Sequence, residues 1–371
     1  MKIGIDTFGC DHGKSGIGSY LTSLSQNFKN TEENHFELFG AEIDRYTYGQ
    51  ESNISFESVI LPDTVKAEKA WHMFICNSFA KKQKYDALLF PASSYALPFH
   101  FSVPSVAVVN DIVSELFATK SFAERTRIRH SLKKVNKIIA PSIFVKKDLK
   151  RLGISQDKIS VVHNGINHSV FYPRELVTSE TEMIKPFAIR RPYLLYASTM
   201  SSPLKRHVEL IKAFEIFKKK TALPHRLVLA GGDGECSENI KKTALNSPYA
   251  SDIFITGYFP HESFPALYAG SEGCLFPSEI EGVGLPVLEA MATGIPVACS
   301  KSGALQEIAG EKAMLFDSSN IDEIAHSIEK IVTDLKLRRK MIDEGINWSK
   351  KFDWENTATE TLEVLKSVIK K

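Results

Sequence analysis

Two α/β domains, each built on a parallel sheet, are predicted by three features of this chain. Short apolar runs alternate with amphipathic stretches from one end to the other, and each run is followed by a Gly, Pro or Ser signal. At 371 residues the chain is also long for one domain, and two of about 150–200 residues each are the expectation. Strands covered on both faces read as continuous apolar runs, and alternation with helices implies parallel pairing. In the first half the runs are 2–5, 87–90, 105–109, 137–140 and 159–162. In the second they are 193–197, 226–230, 253–256, 273–276 and 296–299. About ten strands are too many for one compact sheet and comfortable as two. The boundary is expected between Tyr172 and Arg191, where Pro173, Pro186 and Pro192 punctuate the chain and 177–182 lacks periodicity. It is set at 180/181, giving domains 1–180 and 181–352. Phe352-Asp353-Trp354 then opens a last segment, 353–371. Its amphipathic helix is expected from Glu355 to about Lys370, with Thr357, Leu362, Leu365 and Val368 as the apolar face.

Composition narrows the function classes. Hydrophobic residues make up 43% and charged residues 24%, with a net charge of +2, as in an ordinary globular protein with no nucleic-acid footprint. Cys10, Cys76, Cys236, Cys274 and Cys299 are odd in number and scattered, which fits buried thiols in a reducing compartment. The opening Met1-Lys2-Ile3-Gly4-Ile5-Asp6 reads as a strand, with no signal peptide before it. No apolar run approaches the ~20 residues of a membrane span, so the cytoplasm is the expected location.

The most informative segment is Glu281-Gly282-Val283-Gly284-Leu285-Pro286-Val287-Leu288-Glu289. Pro286 suits the first position of a helix, where its missing N–H costs nothing. Gly282 and Gly284 let backbone approach a ligand closely. Unpaired N–H groups and the positive dipole end then face whatever lies before Leu285, and an anion is the natural guest. Glu289, almost a turn later, can accept hydrogen bonds from hydroxyls beside that anion. Phosphate next to polyol describes a nucleotide sugar. The segment follows a strand, and ligands bind at the carboxyl ends of strands in open parallel sheets.

Other candidates are weaker. Lys205 lies on a strand-to-helix loop expected to face the same cleft, followed by Arg206. Gly16 and Gly18 sit in Lys14-Ser15-Gly16-Ile17-Gly18-Ser19-Tyr20 after the first strand. A dinucleotide fingerprint would need glycine where Leu21 stands. A P-loop needs four residues between its first Gly and Gly-Lys-Ser, and Gly9 to Gly13 leaves three. Asn110-Asp111 ends the 105–109 run and reads equally as a site or as an N-cap pair for the next helix. His163, His168 and His207 lack ligand spacing and no Asp-x-Asp occurs, so no metal and no cofactor are expected. The stretch 125–151 carries Arg125, Arg127, Arg129, Lys133, Lys134, Lys137, Lys146, Lys147, Lys150 and Arg151 against Asp148. It reads first as solvated helix faces and second as a peripheral foothold on anionic lipid at the inner membrane face. Trp71, Phe74, Ile75 and Phe79 in 70–79 read as core.

Residues 275–310, LFPSEIEGVGLPVLEAMATGIPVACSKSGALQEIAG, resemble the donor-binding signature of retaining GT-B glycosyltransferases of the E-x7-E type, group 1 or family 4. The resemblance covers nearly the whole chain. It extends to Gly16-Ile17-Gly18, Val162-His163-Asn164-Gly165-Ile166, the 226–230 run with Gly231–Gly234, Thr256-Gly257-Tyr258 and Phe352-Asp353-Trp354. It implies the GT-B fold: two Rossmann-like domains facing a cleft, acceptor in the first, donor in the second, and the last helix crossing back to the first. It implies that Glu281 contacts the donor sugar and Glu289 the ribose. Lys205 and the amides of Val283, Gly284 and Leu285 would hold the diphosphate and sugar hydroxyls, with Arg206 the candidate substitute for the arginine that usually assists that lysine. Tyr258 lies near the base, and Gly16 and Gly18 near phosphate and acceptor. The resemblance also implies a metal-independent hexosyl transfer from a donor such as GDP-mannose or UDP-glucose. The acceptor would be a saccharide or lipid-linked saccharide, in polysaccharide or glycolipid biosynthesis. Two positions depart from the family pattern. Thr199 or Met200 stands where an arginine usually assists the lysine, and Asn110 stands where a histidine usually precedes Asp111. Asparagine cannot carry a proton away at neutral pH, but such enzymes are thought to use the leaving phosphate as base. The departures keep open a degenerate nucleotide-sugar-binding partner subunit, and the architecture is shared with phosphorylases and epimerases.

Overall fold

The computed structural model describes residues 1–49, 54–62, 64–174, 181–184 and 187–369. Its contacts divide the chain into two units, Met1–Gly165 with Asp353–Lys371, and Ile166–Phe352. The boundary expected at 180/181 abuts 175–180, outside the described residues.

The first unit holds β1 (Lys2–Asp6), β2 (His35–Gly40), β3 (Ser55–Ser58), β4 (Ala87–Phe90), β5 (Ser105–Val108), β6 (Lys137–Ala140) and β7 (Ile159–Val161). They pair in the order β3-β2-β1-β4-β5-β6-β7, every pair parallel. In the second unit a hairpin of β8 (Thr181–Ile184) and β9 (Phe187–Arg190) precedes β10 (Tyr193–Ala197), β11 (Arg226–Ala230) and β12 (Ile253–Gly257). β13 (Gly273–Phe276), β14 (Val297–Ser300) and β15 (Met314–Phe316) complete it. The sheet runs β12-β11-β10-β13-β14-β15, again all parallel. The predicted α/β class with two parallel sheets is observed. In both sheets the strand order reverses beside the first central strand, between β1 and β4 and between β10 and β13. Loops at such a reversal part to either side and leave a crevice at the carboxyl ends of the strands.

Apolar continuity marks the central strands. β4, β5, β10, β13 and β14 are buried along their whole lengths. The expected linker contains a hairpin instead: β9's Phe187 stacks on Phe259, ring centroids 5.6 Å apart. Packing against a distant aromatic, not local pattern, makes that segment a strand. The last helix is Trp354–Val368, with Asp353 capping the Asn356 N–H. It belongs to the first unit, where Ala358 and Leu365 join the core, Leu362 and Val368 pack against it, and Thr357 Oγ1 donates to the His163 carbonyl at 2.8 Å. Of the residues read as core in 70–79, Trp71 is 3% exposed and Phe79 packs on it, but Phe74 is 74% and Ile75 50% exposed. The helix Val65–Phe74 ends there and the chain turns at Ile75, which leaves both outside. The cysteines are unpaired, and all but Cys236 are fully buried.

Candidate active site

After β13 the chain turns through 277–284 into the helix Leu285–Ala292. Gly284 caps it at φ +78°, a left-handed position that favours glycine. Leu285 is therefore the first helical residue and Pro286 the second, one later than expected. The missing N–H remains harmless, because the first four amides of a helix lack partners in any case. Gly303 backs the turn so closely that a Cβ there would lie 2.8 Å from the Glu281 backbone, and the Ala304 N–H donates to the Glu281 carbonyl.

After β10, Pro203–Lys205 forms a single 3-10 turn capped by Ser202, and the helix His207–Thr221 follows. The turn brings the Lys205 ammonium to 2.7 Å from Glu281 Oε2, with the side chains 21% and 28% exposed. Sequence placed both groups at one crevice without showing that they pair. Arg206, read as a helper of Lys205, is instead engaged by two carboxylates. It donates to Glu209 at 2.8 Å and to Glu279.

Glu289 lies one turn into its helix and half buried, where Oε2 accepts from the Tyr268 hydroxyl at 3.1 Å. Burial raises its pKa from 4.5 to about 7, against the opposing effect of the Tyr268 hydrogen bond. It lines a cavity of about 340 Å³ with Thr199, Gly231, Gly232, Tyr258, Phe259, Phe264, Leu285 and Pro286. Gly231 is required there, since a Cβ would meet the Ser198 carbonyl at 2.0 Å. Tyr258 stands at the lip, 77% exposed. Tyr268 escaped the sequence reading, because a buried tyrosine in a short helix patterns as core.

The first unit carries a separate cavity of about 490 Å³ at its own strand-order reversal. Phe8, Asp11, His12, Asp44, Glu68 and Tyr95 are among the residues lining it. Asp44, 2% exposed, accepts from Thr7 Oγ1 at 2.5 Å and from His12 Nδ1 at 2.6 Å, and Glu68 accepts from the Tyr95 hydroxyl at 2.6 Å. Gly16 opens the helix Gly16–Asn27, whose cap Ser15 and third residue's neighbour Ile17 line the cavity. Gly18 serves packing: a Cβ there would meet the Cys10 carbonyl at 2.4 Å. Asp111 adjoins the cavity through Ser94, which donates to it. Asn110 Oδ1 is buried without a hydrogen-bond partner. The N-cap alternative for this pair does not hold, because Ile112 occupies the cap of the helix Val113–Thr119.

Two family descriptions match the chain: "Glycosyltransferase Family 4" over residues 15–170 and "Glycosyl transferases group 1" over 179–348. The chain belongs to the group 1 and family 4 glycosyltransferases. This glycosyltransferase is 28% identical to the O-antigen chain mannosyltransferase B of Escherichia coli, over 76% of its own length and 75% of the relative's. It is 27% identical to the MMP alpha-(1->4)-mannosyltransferase of Mycolicibacterium hassiacum, over 60% of this chain and 51% of that one. Among solved structures, Anabaena HepE in complex with UDP and glucose superposes with a TM-score of 0.73 at 18% identity, covering 99% of this chain and 100% of that one. Sucrose-phosphate synthase from Thermosynechococcus elongatus gives 0.72 at 18%, covering 99% and 98%. The fold is GT-B. Family membership makes the protein a glycosyltransferase on the GT-B fold. Among its described residues, no group of three or more His, Cys, Asp and Glu could hold a metal ion, and no helix is long and apolar enough to cross a membrane.

Proposed function

We propose that the second unit holds a nucleotide sugar and that the enzyme transfers its hexosyl group with retention of configuration. The observation that carries this reading is the Lys205–Glu281 pair beside a cavity bearing Glu289. Glu289 accepts the ribose hydroxyls. Lys205 and the N–H groups at Val283, Gly284 and Leu285 face the diphosphate, and Glu281 orients the sugar. As the bond from the anomeric carbon to the phosphate oxygen breaks, charge grows on the diphosphate, where an ammonium and oriented amides stabilise it most. The acceptor hydroxyl forms the new bond at the same carbon and gives its proton to the departing phosphate oxygen. No metal or cofactor enters, because Lys205 and the helix start supply the positive field.

The hexosyl assignment, with mannose or glucose foremost, draws on the mannosyltransferase relatives and on HepE, whose structure contains UDP and glucose. The first unit's cavity is read as the acceptor site, for a saccharide or lipid-linked saccharide. A thermal-shift panel of UDP, GDP and ADP sugars tests the reading. One base is expected to raise the melting temperature by mass action, and the absence of a shift with all three would sink it.

The basic segment supports peripheral binding at the cytoplasmic membrane face. Arg125, Arg129, Lys133 and Lys134 are exposed on the helix Phe122–Lys134, and Phe122 at its start is 84% exposed. Co-sedimentation with anionic vesicles is expected and should fall in a Phe122→Ser, Lys133→Glu, Lys134→Glu variant and with rising salt. Equal retention by neutral vesicles would refute it.

A further inference from the structure

The loops that carry the ion pair leave neighbouring strands, Lys205 after β10 and Glu281 after β13. A buried tyrosine, so far without a role in the chemistry, ties one loop to the other. Tyr196 is 1% exposed. Its hydroxyl donates to the Lys205 backbone carbonyl at 2.9 Å and lies 2.8 Å from Ser278 Oγ. A phenol has one proton. With that proton on the Lys205 carbonyl, the Ser278 hydroxyl must donate to the phenol oxygen. One oxygen atom thus bridges the lysine's own backbone to a residue three positions before Glu281.

The surroundings reinforce the bridge. The Glu279 N–H donates to the Leu204 carbonyl at 2.8 Å, and Arg206 pairs with Glu279, so the same two loops are laced at adjacent residues. Behind Tyr196 lies the His207 imidazole, ring centroids 4.7 Å apart and 3% exposed. Burial lowers the pKa of His207 to about 4, so it puts no second charge behind Lys205 at neutral pH. Tyr193 on the same strand provides a contrast. It is equally buried, but its hydroxyl donates to the Leu267 carbonyl.

We propose that Tyr196 is a positioning residue for phosphate recognition: its hydroxyl, with Ser278, fixes the Lys205 loop against the Glu281 loop so that the ammonium meets a donor's diphosphate. The inference rests on the reading of Lys205 as the diphosphate ligand. A misplacement of about 1 Å can cost up to ~100-fold where geometry controls the interaction, and loss of one of several ties should cost less.

The test compares Tyr196→Phe, Ser278→Ala, their double variant, Tyr193→Phe and Lys205→Ala by calorimetric titration with UDP, GDP, ADP and the matching monophosphates. With the base the parent prefers, Tyr196→Phe and Ser278→Ala should each weaken diphosphate binding about tenfold and leave monophosphate binding nearly unchanged. The double variant should be no worse than either single one, since the two groups act through one bridge. Tyr193→Phe should change neither affinity. If Tyr196→Phe and Ser278→Ala keep the parent's ratio of diphosphate to monophosphate affinity while Lys205→Ala loses it, the bridge is refuted and the donor site stands. An equal loss of both affinities would mark a merely structural role and also refute it. If Lys205→Ala keeps the ratio, or the parent binds no diphosphate, the donor-site reading falls and takes the bridge with it.

Discussion

Glu281→Gln is expected to tighten nucleoside diphosphate binding while lowering sugar transfer, and Lys205→Ala to weaken both. In the free protein the Lys205 ammonium is already neutralised by Glu281 at 2.7 Å. An incoming diphosphate must take that cation from the carboxylate and tolerate the carboxylate nearby. Glutamine removes the competitor and the repulsion together while keeping the shape of the side chain. Partly buried pairs of this kind are worth on the order of 1 kcal/mol, so the gain in diphosphate affinity should be about three- to tenfold. Transfer falls because the group that orients the sugar has lost its charge. Lys205→Ala does the reverse. It leaves Glu281 partly buried without its cation and sets it against the diphosphate. Loss of a group facing the charge that develops in the transition state costs about 100- to 1,000-fold in turnover. Titration calorimetry with the diphosphate and steady-state rates with the nucleotide sugar read the two effects separately. If both substitutions moved diphosphate affinity in the same direction, exchange of Lys205 between Glu281 and the donor would be wrong.

Much of this architecture can be read from the chain because parallel sheets impose a strong pattern. The runs 87–90, 137–140, 193–197, 226–230 and 273–276 match β4, β6, β10, β11 and β13. β3, Ser-Phe-Glu-Ser, gave no such signal. It is an edge strand with no fully buried residue, so its polar residues look like loop. β15 is only three residues long, too short to show a pattern. At the site, glycines and charges before a helix marked the crevice proposed here to hold the diphosphate. What stayed hidden was how the charges are paired. Lys205 and Glu281 are 76 residues apart, and only the adjacency of β10 and β13 makes them partners. Arg206 illustrates the converse. Its place beside Lys205 suggested phosphate, but Glu209 and Glu279 occupy its guanidinium. Tyr196 and Tyr268 were invisible for a third reason: a buried tyrosine reads as core whether or not its hydroxyl ties functional loops together.

Glu289→Gln should produce a more stable but weaker-binding protein, increasingly so as the pH rises above ~4.5. The carboxyl's pKa stands at about 7 in the folded chain, chiefly through burial, against 4.5 for an unperturbed glutamate. Between those values the folded chain holds a proton that the unfolded chain has released. The stability associated with that proton is therefore complete below pH ~4.5 and is lost as the pH rises through about 7. A shift of this size corresponds to roughly 3–4 kcal/mol. Glutamine does not ionise, so the variant should melt higher than the parent at pH 8, with the difference vanishing toward pH 4.5. Ligand binding runs the other way. Ribose hydroxyls donate to the ionised carboxylate with charge-assisted strength. The parent's nucleotide affinity should accordingly rise from pH 5 to pH 7 and then level off, while the variant's stays low and flat. Melting curves and titrations at pH 5, 6, 7 and 8 check both slopes. A parent affinity independent of pH, or a variant no more stable at pH 8, would mean that burial does not raise the Glu289 carboxyl above the ordinary carboxylate range. Burial of a carboxylate that must accept hydroxyls costs the fold stability at neutral to alkaline pH, and its ligand restores what burial takes away.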